Sequence, residues 1–477
     1  MTGSVERKLS GIMTEYCINS EKIYHNYHGQ FPPLSLDAEA AVIPPDTEKT
    51  HRKLITDTTM RDGAQDPHFA LFPVETRLKY YDLLHELDNG TGCIEQVEVF
   101  IYQKRDLWAL DKLLDRGYEF PQVTTWTRAL PKDIRMLVDV SRGRIKETGM
   151  LASSSDHHIF DKLGHPSKAV AAEKYLAPIM TACEYDIRPR VHLEDTTKAD
   201  IYGFVIPFMQ RVLKETNGWA KFRICDTIGW GSPDPNVALP MGVPKLISTL
   251  IQETGAELEF HGHNDFGLAT ANSMAAYRYG CKRVNVAFAG LGERTGNTSL
   301  EQIVAGYVRM YGNPGLNLKT LSQIRDLLTA EVIQIPPKQP VIGDVFSTQA
   351  GIHQTGMRRQ EQAKGGPIYL AFDAAVVGDE ASENSVIGAL SGMDGIVAVL
   401  NRQIKVETGQ QGRYSTTSRV VKYIYDKIQE AYDGTYDSEY DSLVGQRRTF
   451  FDPAEISALA KEGQEDRGSA TVREPLK

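Results

Sequence analysis

Cysteine is scarce: five among 477 residues, at positions 17, 93, 183, 225 and 281, far apart and never in a CxxC pair. Scattered thiols in odd number exclude a disulfide framework and a zinc ribbon, and they suit a reducing, cytoplasmic setting. Long hydrophobic runs are missing too. No apolar stretch approaches the roughly 18 residues a bilayer span requires, and the first residues, MTGSVERKLSGIMTEYC, carry no extended hydrophobic segment behind their charges. Neither a membrane partner nor an export signal is expected. Positive charge is in deficit, with 53 Lys and Arg against 62 Asp and Glu for a net charge of −9. No basic stripe could track phosphates, which excludes nucleic acid as a partner. A doubly wound nucleotide-binding sheet would need a Gly-rich phosphate turn after an early strand, and none is visible.

What is present is a rhythm. From about Leu54, short runs rich in β-branched and apolar residues recur: LITDTTM, EQVEVFI, PQVTTW, ETGMLAS, RPRVHLED, KFRICDT, ELEFHGHND and RVNVAFAGL. Segments with helical spacing lie between them, such as VETRLKYYDLLHEL and SKAVAAEKYLAPIMTACEY. Eight strands alternating with helices predict an α/β fold, a (β/α)8 TIM barrel with an N-terminal arm and a mostly helical C-terminal subdomain. The predicted divisions are an arm over 1–50 holding two Pro-Pro pairs, a barrel over 51–315, a helical linker and subdomain over 316–430, and a polar tail over 431–477.

A parallel barrel gathers its chemistry at the C-terminal ends of the strands. There the sequence places Arg61, Asp62 and Gln65 after strand one, His192, Glu194 and Asp195 at strand five, Asp226 and Thr227 at six, and His261 and His263 at seven. Gly290-Leu-Gly-Glu-Arg-Thr-Gly-Asn297 follows strand eight. Residues i and i+2 of a strand point the same way, so both imidazoles can reach one ion; two hydrogen-bonded histidines are the bland alternative. Asp62 tips the balance, because strand one adjoins strand eight, which adjoins seven. A ligand set of Asp62, His261, His263 and Asn297 is nitrogen and oxygen only, which admits Mn²⁺, Mg²⁺, Co²⁺ or Zn²⁺. Arg61 beside that carboxylate is read as a stabiliser of developing enolate charge in preference to a structural ion pair. Gln65 and Thr227 could bind a substrate carboxylate or cap helices. Only its strand-end position separates Glu194 from surface background.

Taken together, DTTMRDGAQ after strand one and HGHND at strand seven, with GLGERTGN, resemble the signature of the DRE-TIM metallolyase family over residues 54 to about 310. Ser153-Ser-Ser-Asp-His-His158, the FSTQAGIHQTG of 346–356 and the SGM of 391–393 resemble its Claisen-condensing branch, the 2-isopropylmalate, homocitrate, citramalate and citrate (Re) synthases. Ala64 departs from the branch's usual Glu, and Thr348 from an additional His. The resemblance implies a metal-dependent acyltransferase using acetyl-CoA as co-substrate, with Mn²⁺ placed first among the ions. It implies His353 as the group that removes the acetyl methyl proton, Tyr369 as its weaker partner, and a homodimer whose C-terminal subdomain is swapped. His158 is assigned to substrate binding. Arg190, matching an arginine that grips a distal carboxylate, implies a dicarboxylic 2-oxo acid, oxaloacetate ahead of 2-oxoglutarate, with His192, Arg188 and Lys198 narrowing the pocket. The rival is a lyase or aldolase on the same barrel, against which the extra region after residue 312 speaks.

Overall fold

A computed structural model describes residues 18–24, 36, 53–68, 72–360, 369–379, 386–433, 436–437, 442–443 and 450–465. All eight expected strands form and close into a parallel barrel in chain order. They are β1 (Leu54–Asp57), β2 (Ile94–Val99), β3 (Gln122–Thr127), β4 (Glu147–Ser153), β5 (Arg188–Glu194), β6 (Lys221–Asp226), β7 (Leu258–Gly262) and β8 (Arg283–Val286). Each is followed by its helix: α1 (Val74–Asp88), α2 (Lys104–Leu114), α3 (Pro131–Ser141), α4 (Lys168–Glu184), α5 (Ile206–Glu215), α6 (Val243–Thr254), α7 (Ala269–Arg278) and α8 (Leu300–Tyr311). Local chemistry sets the helix ends. The Ser167 hydroxyl accepts the Val170 N–H to open α4, and Gly255, left-handed at φ 65°, closes α6. Among the described residues no helix is long and apolar enough to cross a membrane.

Alternation along the strands sends apolar residues outward to the helices, where Val97, Val191, Phe222, Ile224, Phe260 and Val284 are wholly buried. Each contributes roughly 1.5–3 kcal/mol. The inward positions are instead charged. Arg61, Arg190, Lys221 and Arg223 interleave with Asp62, Glu98, Glu147 and Glu259, all buried. Glu98 is the hub. It accepts from Arg61 Nε at 2.6 Å, from Arg223 Nη1 at 3.2 Å and from Arg190 Nη2. Arg223 continues to Glu259 at 3.0 Å, and Lys221 closes on Glu147 at 2.7 Å. Burial alone would raise the Glu98 carboxyl, but Arg223, Arg61 and Arg190 outweigh it and hold the group well below the usual range.

The chain divides later than the expected boundary at 315. Helix α9 (Thr320–Glu331) packs on α1, and the first unit runs to Pro336 with 340–342. The second comprises 337–339 and 343 onward. Its helices are α10 (Gly351–Gln360), α11 (Met393–Thr408), α12 (Arg419–Asp433) and α13 (Pro453–Glu465). They enclose a core of Ile387, Ile396, Leu400, Val421, Ile424, Phe451 and Ile456. Residues 453–465, read from sequence as part of a tail, are thus a packed helix. The i, i+4 pair Ile456 and Ala460 supplies its buried stripe, and Phe451 pairs by backbone with Ile387. Residues 466–477, and most of the arm over 1–50, lie outside the described residues. Ile456→Ala should therefore destabilise the second unit by about 2–4 kcal/mol, read as an early transition in urea unfolding; a silent substitution would mean that this helix is not part of the core.

Candidate active site

The turn after β1 is wound on one carbonyl: Thr58 C=O accepts the N–H of Arg61, Asp62 and Gly63 at 3.0, 2.8 and 3.1 Å. Beneath it, Asp57 accepts the Thr59 N–H and hydroxyl and the Tyr80 hydroxyl, while Thr59 Oγ1 accepts the Phe288 N–H at 2.8 Å. Burial pushes the Asp57 carboxyl up to about 7. This network ties the β1 turn to the segment that leaves β8. The turn aims Asp62 Oδ2 at β7, 3.6 Å from His261 Nε2 and 3.8 Å from His263 Nε2, and the two Nε2 atoms are 3.3 Å apart.

Asn297 joins them from the glycine-rich loop. Gly296, at φ 85°, has no space for a side chain, since a Cβ would lie 1.8 Å from the Gly290 carbonyl oxygen. The chain folds back there and pairs Asn297 with His263 by a backbone bridge. Its Nδ2 donates to the Leu291 carbonyl at 2.7 Å, which leaves Oδ1 buried without a hydrogen-bond partner. Asp62 Oδ2 is equally bare. Leaving a buried acceptor unsatisfied costs about 1–3 kcal/mol, so the site carries two acceptors that lack a positive partner.

The histidine tautomer fits the same requirement. His261 Nδ1 lies 2.8 Å from Asn285 Oδ1, whose Nδ2 donates to Thr56 O and Oγ1. With the Asn285 amide so oriented, His261 carries its proton on Nδ1 and presents a lone pair at Nε2. Burial lowers both imidazole pKa values and outweighs the upward pull of Asp62. Burial would raise Asp62 itself, but the Arg61 guanidinium beside it is foremost among the groups that bring its carboxyl well below the usual range. Two neutral imidazoles and one carboxylate therefore converge, with Asn297 bridged to His263 beside them, a donor set that fits a divalent cation.

Arg61 borders this centre. Its Nη1 donates to Asp62 Oδ1 at 2.7 Å and its Nε to Glu98, leaving Nη2 without a side-chain partner among the described residues. Arg190 differs. Its five N–H donors meet Gln96, Glu147, Glu98, Thr124 and His192 Nε2. In this arrangement every one of its donors is engaged within the ion lattice. His192 is buried in the same lattice, its pKa held well below the usual imidazole value by burial and Arg223. Arg188 opens β5, at the end away from the mouth, and donates to the Trp219 carbonyl, so it cannot narrow a pocket there. Lys198 is paired with Asp195 at 3.2 Å.

A second cluster forms where β4 and β5 end. Glu194 accepts from Ser153 Oγ at 2.5 Å and Lys162 Nζ at 2.8 Å, and lies 3.0 Å from His158 Nδ1. Burial would raise it, but His158, Lys162 and Ser153 bring it down to about 2. The other nitrogen of His158 is 3.6 Å from Asp195 Oδ2. Thr227 Oγ1 accepts the Asp195 N–H at 2.8 Å, and Gln65 is exposed at the end of a short turn. In the second unit, His353 stacks on Tyr369 with ring centres 4.4 Å apart. Both line a cleft with Ser347, Thr348, Gln349 and Leu390.

A family model described as HMGL-like matches residues 52–328, more than half the chain. The chain belongs to this family. It is 37% identical over 429 residues to citrate (Re)-synthase of Clostridium kluyveri, covering 87% of this chain and 90% of that protein. It is also 37% identical over 353 residues to citrate (Re)-synthase of Syntrophus aciditrophicus, covering 72% of this chain and 54%, about half, of that longer relative. Identity to 2-phosphinomethylmalate synthase of Streptomyces hygroscopicus is 33% over 369 residues, 75% of this chain and 81% of that one.

In this HMGL-like chain the sequence reading missed two residues of the site, Glu98 and Asn285. Both stand on inward faces of their strands, Glu98 two residues from Gln96 and Asn285 in register with His261, a placement that only closure of the barrel reveals. Asn285→Leu should weaken Mn²⁺ binding by roughly 10- to 100-fold in calorimetric titration; unchanged affinity would remove Asn285 from the site. Arg190→Met should destabilise the fold by about 3–5 kcal/mol by stranding Glu98 and Glu147, and lower turnover equally for every 2-oxo acid. A loss confined to dicarboxylic acceptors would restore Arg190 as a substrate ligand.

Proposed function

We propose that this protein is a metal-dependent acyltransferase that condenses acetyl-CoA with a dicarboxylic 2-oxo acid and releases CoA, with oxaloacetate, which gives citrate, ahead of 2-oxoglutarate, which gives homocitrate. The observation that carries the reading is the convergence of Asp62 Oδ2 with the Nε2 atoms of His261 and His263 beside Arg61, in a chain 37% identical to a citrate (Re)-synthase of similar length. A divalent cation held by Asp62, His261, His263 and Asn297, Mn²⁺ in the first instance, would supply Lewis acidity to the 2-oxo group.

The chain's own residues account for the remaining steps. Arg61 is fixed at two nitrogens and uncommitted at the third, so its charge is available to the oxygen on which negative charge develops. Glu194, kept ionised, holds His158, and with Thr227 and Gln65 they form the wall assigned to the oxo acid. His353, backed by the Tyr369 ring, takes a proton from the acetyl methyl group. The resulting enolate carbon attacks the 2-oxo carbon, the alkoxide formed takes up a proton, and water cleaves the thioester to release CoA and citrate. Base and barrel belong to different units, and Ile352 and Leu390 flanking His353 are 80% and 75% exposed. Exposed apolar side chains beside a reactive histidine support a homodimer in which this unit serves the partner's barrel.

The test is CoA thiol release from acetyl-CoA against a panel of 2-oxo acids, with and without chelator. Activity with oxaloacetate that chelator removes and Mn²⁺ restores is expected. His261→Ala and Asp62→Asn should each lower turnover by at least roughly a thousandfold with the circular dichroism unchanged. Retained turnover in either variant would refute the metal reading, and activity confined to 2-oxoisovalerate would replace the acceptor.

A further inference from the structure

The rim of the barrel is made of strand ends and the loops that come after them, with one addition from far away in sequence. Residues 18–24 lie against the loops after β4 and β5. Both loops wind wider than an α-helix, as π-helical turns over His157–Lys162 and Ile201–Val205, a geometry found often at functional sites.

The contacts of this strap are specific at both ends. Asn19 donates its N–H to the Gly203 carbonyl at 2.7 Å and its Nδ2 to Asp200 Oδ2 at 3.2 Å. Gly203 is flush with it, since a Cβ there would lie 2.5 Å from Asn19 Cβ. At the other end, the Ile23 N–H donates to Asp156 Oδ2, the Tyr24 ring rests 4.7 Å from that of His157, and the Tyr24 hydroxyl donates to Asp161 at 3.3 Å. Between them stands Lys168, its side chain only 1% exposed. Its ammonium donates to the Glu21 carbonyl of the strap at 3.0 Å and to Asp200 Oδ2 at 3.1 Å, and it is ion-paired with Asp156 Oδ1 at 3.2 Å. Strap and both loops thus share one buried cation. Removing the strap takes away one of that cation's three partners together with the strap's own bonds to the loops.

Asp156 opens the turn whose next residues include His158 and Lys162, the two side chains that hold Glu194. We infer that residues 18–24 are a working part of the substrate wall: the strap fixes the 157–162 turn, and through it places His158 and Lys162 on Glu194. The kinetic part of this inference rests on the acyltransferase reading; the structural part does not.

Two variants of the full chain test it: Ile23→Pro, which deletes a single N–H donor at a partly exposed position, and deletion of residues 1–24. Hydrogen exchange over 156–162 should quicken by roughly tenfold in both, while exchange in β7 stays as in the parent. Mn²⁺ affinity by calorimetry should be unchanged, since none of Asp62, His261, His263 or Asn297 touches the strap. KM for the 2-oxo acid should rise by about tenfold with kcat altered less than about twofold, the signature of lost substrate positioning. Unchanged exchange over 156–162 in Ile23→Pro overturns the inference, as does faster exchange with an unaltered KM. Should the deletion lose its fold, Ile23→Pro decides alone. If no 2-oxo acid supports CoA release in the parent protein, the acyltransferase reading fails while the exchange measurement still decides whether the strap holds the turn.

Discussion

Electroneutrality in a dry interior is the constraint on which the rest of the barrel depends. Cationic and anionic side chains interleave inside a ring of eight strands, Arg190, Lys221 and Arg223 against Glu98, Glu147 and Glu259, and none could be ionised there without its neighbours. Glu98 shows the principle most directly. One carboxylate from β2 satisfies guanidiniums from the β1 turn, β5 and β6, so the charge that steadies the floor of the barrel also fixes Arg61 at its mouth. The cluster of Asp62, His261 and His263 is the upper edge of this lattice, the place where the pairing stops and Asp62 Oδ2 and Asn297 Oδ1 are left without hydrogen-bond partners.

Much of this is readable from sequence, for identifiable reasons. The eight strands announce themselves because each is a short β-branched run bounded by helical spacing, and all eight form at the expected places. His261 and His263 are legible because period two is local, and Asp62 because barrel closure makes the first and last strands neighbours. Glu98, Glu259 and Asn285 are not legible. On a strand, an inward polar residue in a charged barrel has the same alternating pattern as a residue facing water, and only closure distinguishes them. The ion pairing of Arg190 is hidden for a related reason. Its partners Gln96 and Glu98 lie more than ninety positions away, so a sequence window sees an arginine next to a presumed pocket and no competitor for its donors.

The C-terminal region misleads in a different way. The segment around Tyr436 is poor in aliphatics and 463–477 is polar enough to read as a disordered tail, so 431–477 as a whole reads as a tail. Yet Phe451, Ile456 and Ala460 reach a shared core with α11 and α12. Three well-spaced apolar residues suffice when a partner surface exists, and composition averaged over some forty residues conceals them. The pairing of His353 with Tyr369 comes from family resemblance alone, and the stack between their rings is a feature that neither residue's immediate neighbours could have indicated.

Gly149 on β4 bears on how such a site can change, because the space beside its Cα is already taken: a Cβ there would sit 2.5 Å from His192 Nε2 and 3.1 Å from Glu98. The barrel interior at this level is consequently filled. No methyl group can be added to it, and no bound molecule can grow downward into it. Acceptors of different length must be sorted sideways, by the rim, where loops can lengthen or change composition without disturbing a single buried ion. Diversification of substrate choice on such a scaffold is therefore a matter of the periphery, while the interior stays as it is.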